Sequence, residues 1–308
     1  MKDGFSIGKP QQRRWWQAAG ILCLWAGFAH AETVVLKSGQ SGTGTAFRRQ
    51  NNSLVFLMEL RGPDGKPVMG PDGKAAKAER SVAIAEIEKV EAETPAVLKT
   101  APALLRTGKA AQVLPELAKA AKAVEAFGDL PGSWWPQLVA LQAQTLIALG
   151  KDAEASTLAG TMEASGSAAL ARDGKAVRAL IAARKGDQAS ASALLSPLWK
   201  EKDTLQPGVL AAISVARGFG FLEKKQSVPA LKAFLELPVF LPDETALSAI
   251  AELGAAQAYF GLEDYDRAIA TLENLIKTQP DLPEAAKAKT FLPLWQQRRT
   301  AVAEAKAP

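Results

Sequence analysis

The chain has 308 residues, 48% of them hydrophobic, 6% aromatic and 22% charged, with a formal net charge of +5. Alanine-rich composition with interspersed charges of both signs excludes a disordered chain and leans towards helix, because alanine has the highest intrinsic helix propensity. A single cysteine, Cys23, and a single histidine, His30, exclude a disulfide framework and leave little room for histidine-based chemistry.

Residues 1–31 carry the pattern of a secretory signal. Lys2, Lys9, Arg13 and Arg14 make a basic start, residues 18–28 form an uncharged run, and Ala29-His30-Ala31 supplies a small-x-small cleavage site. The run falls short of the roughly twenty apolar residues that a membrane span needs. The pattern predicts cleavage after Ala31, giving a periplasmic or secreted chain with no stable membrane span. Such a mature chain holds neither Cys23 nor His30. Nucleophile–histidine dyads and triads and histidine metal sites then drop out, and neither a cofactor nor a metal is implied. It keeps 33 basic against 31 acidic residues, a balance that argues against nucleic acid as a partner.

Residues 32–93 have the period of strands. Residues 33–37 (TVVLK), 43–49 (TGTAFRR), 54–60 (LVFLMEL) and 81–87 (SVAIAEI) are the candidates, with Leu54, Phe56, Met58 and Leu60 on one face of the third. Ile84, Ile87 and Val90 suggest that the fourth rolls into a helical turn. Residues 61–80 contain Pro63-Asp64-Gly65-Lys66 and Pro71-Asp72-Gly73-Lys74, paired turn signals that predict a long mobile excursion. Four or five short strands make a small curled sheet or barrel, with too little core to stand alone. The pattern TVVLKSGQ, GTGTAF and IEKVE resembles the small SH3-like or Sm-like β-modules that precede helical repeats in some exported bacterial proteins.

From Thr94 the period changes to 3.6. Breaks at glycine and proline divide residues 94–308 into helical hairpins at about 96–127, 134–165, 168–199, 207–238 and 245–280, with a closing helix at 283–305. Residues 249–280 read AIAELGAAQAYFGLEDYDRAIATLENLIKTQP and resemble a tetratricopeptide repeat. Ala256 and Tyr259 hold the small and aromatic sites of the first helix. Tyr265 opens the second, Ala268 stands at the helix crossing, Leu272 and Leu275 continue that face, and Pro280 closes the unit. Ala255 departs from the usual large aliphatic, and Gly261 comes slightly early. Residues equivalent to Ala268 recur at Ala230, Ala191 and Ala155, at intervals of 38, 39 and 36, against about 34 for the ideal repeat. The expected fold class is therefore mainly α, a tetratricopeptide-like α-hairpin solenoid after a small β-barrel or curled sheet, α+β overall.

In such an array the first helix of each pair lines an inner groove. By helical phase Gln137, Gln144, Arg184, Phe219, Glu223, Gln257 and Phe260 face it, in a groove that suits an extended or helical peptide. A solvated charged face is the competing reading, and Arg172, Arg178 and Arg217 fit it equally well. Trp134 and Trp135, beside the candidate N-cap Ser133, either plug the seam between the first two hairpins or form an aromatic platform for a peptide or glycan. Trp199 and Trp295 read as core. Asp243 is placed as an N-cap, Glu244 in a first helical turn, and Asp264 just before a helix, which favours capping over catalysis. The glycines of residues 39–44 lack the ending of a phosphate loop, and each Pro-Asp-Gly-Lys turn offers one carboxylate where a calcium site needs several oxygens.

These features predict a non-enzymatic periplasmic scaffold or adaptor that binds a protein or peptide partner of the cell envelope. A glycan-handling hydrolase with two carboxylates needs no histidine and is the alternative from another class. A purely structural, oligomeric envelope component is the third.

Overall fold

The computed structural model describes residues 32–306, and the leader expected over residues 1–31 lies outside them. The described chain starts with five strands: β1 Glu32–Leu36, β2 Ser41–Gln50, β3 Ser53–Glu59, β4 Lys77–Ala83 and β5 Ile87–Glu91. They form one antiparallel sheet in the order β4-β3-β2-β1-β5. A 3-10 turn at Ile84–Glu86 separates β4 from β5, so the expected helical turn exists and a fifth strand follows it. Val34, Leu36, Leu54, Phe56, Val82, Ile87 and Val90 are buried, mostly in the alternation of a half-covered sheet, while β3 buries Val55 on its other face as well. In β2 the register shifts between Thr45 and Arg48, where Ala46 takes a φ of 54°. A bulge of this kind bends a long strand.

Residues 61–76 are built from two copies of one turn. Asp64 Oδ1 accepts from the Lys66 N–H and Asp72 Oδ1 from the Lys74 N–H, both at 3.2 Å. The Val68 N–H donates to the Leu60 carbonyl, Ala76 to Val68, and Leu60 back to Ala76, at 2.7–2.8 Å. Three segments eight residues apart thus close a ring of backbone hydrogen bonds, in place of a loose excursion.

Eleven α-helices follow among the described residues: α1 Ala96–Arg106, α2 Ala110–Val124, α3 Trp135–Ala148, α4 Asp152–Ala164, α5 Ala168–Arg184, α6 Gln188–Lys200, α7 Pro207–Glu223, α8 Ser227–Phe240, α9 Ser248–Gly261, α10 Tyr265–Thr278 and α11 Pro283–Lys306. None is long and apolar enough to cross a membrane. One turn recurs five times, after α1, α3, α5, α7 and α9. Its middle residue has positive φ: Gly108 73°, Gly150 72°, Gly186 79°, Lys225 56° and Glu263 59°. The next N–H (Lys109, Lys151, Asp187, Gln226, Asp264) bonds a carbonyl five residues back at 2.9–3.0 Å. That bond is the Schellman closure, which satisfies a carbonyl the helix end leaves open.

After each turn the following helix presents one small or medium residue to its neighbour. Val113, Ala155, Ala191, Ala230 and Ala268 are all 0–1% exposed, and such residues let helix axes approach closely. The second helix of most pairs packs on the first helix of the next, and α5 packs broadly on α7. Consequently α3, α5, α7 and α9 are buried on several faces. The Phe234 ring of α8 fills the space left by Gly218 on α7 and Gly254 on α9, where a Cβ would lie 2.6 and 2.4 Å from ring carbons.

The sheet and the helices share one seam. Phe47 of β2 meets Phe56 and Phe127 with ring centroids 5.1 Å from each, the Val90 N–H donates to the Pro131 carbonyl at 2.8 Å, and Arg49 pairs with Asp129. The helical part also curls far enough for its first pair to touch its last. Thr245 Oγ1 donates to the Pro102 carbonyl at 3.2 Å, and Gly108 packs directly on the backbone of Gln279.

Candidate functional site

A half-open cavity of about 640 Å³ lies where the C-terminal ends of α5 and α7 meet one face each of α9 and α11. Helical spacing builds its walls. Ile250, Leu253, Gln257 and Phe260 come from one stripe of α9, and Glu284, Lys287, Phe291 and Trp295 from one stripe of α11. Phe219, Leu222 and Glu223 enter from α7, Arg184 ends α5, Lys185 and Gly186 follow from the next turn, and Gln188 opens α6. Its volume lies within the range usual for ligand pockets.

Polar groups hold the floor in place. The Arg184 guanidinium donates from Nη1 to the Ile147 carbonyl at 3.1 Å and to Asp152 Oδ1 at 3.2 Å, and from Nη2 to Glu284 Oε1 at 3.0 Å. Lys287 Nζ stands 3.6 Å from the same Oε1. The Glu284 side chain is 1% exposed, and its second oxygen, Oε2, has no hydrogen-bond partner among the described residues. On one wall Trp295 stacks with Phe260, at 4.6 Å, and with Phe291, at 5.4 Å.

Five of the seven residues expected to face an inner groove line this cavity: Arg184, Phe219, Glu223, Gln257 and Phe260. The other two do not. Gln144 is 5% exposed, and its Nε2 donates to the Gly208 carbonyl at 3.0 Å; the curl that lays the start of α7 against α3 covers it. Gln137 is exposed in the first turn of α3, away from the cavity. Trp134 donates its indole N–H to the Ala92 carbonyl at 3.0 Å, and the Trp135 ring covers Gly128. Both are half-buried, Trp134 at the seam between sheet and helices and Trp135 against the linker between α2 and α3.

The arginines outside the cavity tie neighbouring helices together. Arg172 pairs with Glu201 at 2.9 Å, Arg178 with Glu163 at 3.2 Å, and the Arg217 guanidinium lies 3.6 Å from the centre of the Trp199 ring. Phase reasoning missed the contribution of α11. The spacing of Glu284, Lys287, Phe291 and Trp295 was the available signal, masked because a terminal helix was expected to present its polar face to solvent.

A second polar cluster sits elsewhere. Burial, with the Glu244 charge adding to it, pushes the Asp173 carboxyl of α5 up to about 7. Burial and Asp243 also raise Glu244. Asp243 is not the expected N-cap and Glu244 is not in a first helical turn: Glu244 stands at the N-cap position of the 3-10 turn Thr245–Leu247 and makes no side-chain capping bond. Asp264 does cap α10, accepting from the Arg267 N–H at 3.2 Å. Neither Asp173 nor Glu244 lines the cavity. Among the described residues no three His, Cys, Asp or Glu side chains gather as metal ligands would.

No protein-family model matches the chain, and no curated protein or solved structure matches it either.

Proposed function

We propose that this chain is a non-enzymatic scaffold or adaptor of the cell envelope, which holds a protein or peptide segment on the inner face of a tetratricopeptide-like array. Support for the array comes from the turn repeated after α1, α3, α5, α7 and α9, with the same sign of φ and the same closing bond each time. The buried alanines at matching positions add to it. The observation that carries the binding reading is the cavity, where side chains from five separate helices meet around one open space. Fold alone does not fix function, and this site is where the reading is anchored.

Hydrolysis by two carboxyls has one observation in its favour: Asp173 is held near neutrality beside Glu244, as a general acid would be. A glycosidase also needs both carboxyls on a substrate cleft. The cavity's own carboxylates are Glu223 and the arginine-paired Glu284, so binding is the better supported reading.

A photo-crosslinking residue placed at Gln257 in intact cells tests the proposal. The expected result is capture of a defined protein from Gln257 and not from the control position Gln137. Equal capture from both positions, or none from Gln257, would refute it.

A further inference from the structure

We infer that α11 is a strap over the cavity, pinned at its foot by Gln279 and Glu284, and that it lifts from the end of α10 to admit the partner. Lifting follows from how the strap is packed, while its use as an entrance rests on the binding reading above.

The foot is held by contacts whose polar bonding is incomplete. A Cβ at Gly108 would lie 2.9 Å from Gln279 Cα, one at Gly150 would lie 3.9 Å from Pro283 Cβ, and Arg184 donates to Glu284 at 3.0 Å. Gln279 is 3% and Glu284 1% exposed, yet Gln279 Oε1 and Glu284 Oε2 have no hydrogen-bond partner among the described residues. Each sealed oxygen has given up its hydration without a bond in return. Lifting wets both oxygens and both members of the ion pair, which offsets part of what the broken contacts cost.

Beyond the foot the strap has few anchors. After Glu284 its buried residues are Ala285, Ala288 and Trp295, and nothing from Gln296 to Ala305 is buried. Two alanines and one indole, with Phe291 and Leu292 half-buried, give a helix of 24 residues little apolar area to hold it down. Pro293 removes a backbone hydrogen bond from its middle. It follows all the other described helices in the chain, so it can lift without carrying another along.

Beneath the strap the packing is loose. Towards α5 and α7 it covers an open space of about 640 Å³ instead of packed side chains, and dispersion contacts are forfeited wherever such a gap lies. Ile250 and Leu253 of α9 line this space and are buried. Lifting the strap uncovers them as an apolar stripe for a partner's side chains.

Hydrogen exchange of the mature protein reads the lifting directly. The amides of residues 284–292 should exchange through an opening with a shallower urea dependence than that of α7, and about tenfold faster. Gly150→Cys with Pro283→Cys, with Cβ atoms 3.9 Å apart, forms a disulfide of ordinary geometry in a chain without cysteine beyond residue 31. Once oxidised, it should slow exchange in 284–292 about tenfold and cut capture from Gln257 by a similar factor. The reduced form and the single variant Gly150→Cys should do neither. Gln279→Leu, which removes one unmet oxygen, should slow the same amides. Exchange in α11 that matches global unfolding, or that the disulfide leaves unchanged, overturns the strap. Undiminished capture by the oxidised protein overturns its use as an entrance. No capture from Gln257 in any form, with exchange as expected, removes the binding reading and leaves the strap standing.

Discussion

Arg184 donates to Glu284 at 3.0 Å across a hundred residues of chain. The same guanidinium reaches the Ile147 carbonyl and Asp152, so one side chain of α5 ties together the end of α3, the start of α4 and the start of α11. Arg184 is 10% and Glu284 1% exposed, which makes this an interior pair and its loss expensive.

Arg184→Ala leaves the Glu284 carboxylate only Lys287, 3.6 Å away and half exposed, and takes the partner from Asp152. Breaking one partner of a buried pair costs about 3–5 kcal/mol, to be read as a lowered urea midpoint with an unchanged slope. The double substitution Arg184→Met with Glu284→Leu should recover most of that loss. A single-variant loss below about 1 kcal/mol would place the pair with ordinary surface bridges.

Phe234 is 1% exposed and rests on Gly218 and Gly254. Gly254→Ala puts a methyl group 2.4 Å from the ring and should destabilise by roughly 1–3 kcal/mol through overpacking. Phe234→Leu in that background should relieve part of the loss. Thermal denaturation of the single and double variants measures the coupling; strict additivity would mean that the ring and the glycine do not meet as described.

Asp173 is protonated more readily in the folded chain, at about 7, than at its ordinary value of 3.8. Its neutral form therefore supports the fold fully below about 3.8, and that support is lost as pH rises through about 7. The raised Glu244 and Glu252 act in the same direction. Asp173→Asn should be more stable than the parent at pH 8, by on the order of 2–4 kcal/mol, and the two should converge near pH 4. Melting temperatures at pH 4, 6 and 8 check the sign.

At the seam, Trp134→Phe keeps the ring and removes the bond to the Ala92 carbonyl. A loss of about 1 kcal/mol is expected, with faster proteolysis between β5 and α1. Gly132→Ala should be far worse. Gly132 has a φ of +84°, and a Cβ there would sit 2.1 Å from the Val90 carbonyl oxygen.

Lys225 and Glu263 occupy the turn position that is glycine after α1, α3 and α5. A side chain in the left-handed region costs about 1–2 kcal/mol, partly offset by the extra freedom glycine has when unfolded. Lys225→Gly and Glu263→Gly should each raise stability by about 0.5–1 kcal/mol in denaturant titration.

Part of the cavity was legible before any coordinates. Phe219, Gln257 and Phe260 follow from helical phase within their own segments, as Ala155, Ala191, Ala230 and Ala268 do from spacing. Gln144 obeys the same phase, yet it is covered by the start of α7. Glu284 is a first-turn acid of α11, but its place on the cavity floor depends on Arg184, far away in the chain. Nothing local marks Asp173 and Glu244 as neighbours.

The amino-acid order determined by itself where strands give way to helices, that Gly108, Gly150 and Gly186 close turns, and that no cysteine or histidine occurs beyond residue 31. These properties arise from hydrogen bonds and side-chain periodicity within a few residues of each position. Only the tertiary structure decided which helical faces are covered and which stay open. Packing over distant pairs brings α1 against the segment before α9, covers Gln144 with the start of α7 and leaves the cavity open between the ends of α5 and α7 and the faces of α9 and α11.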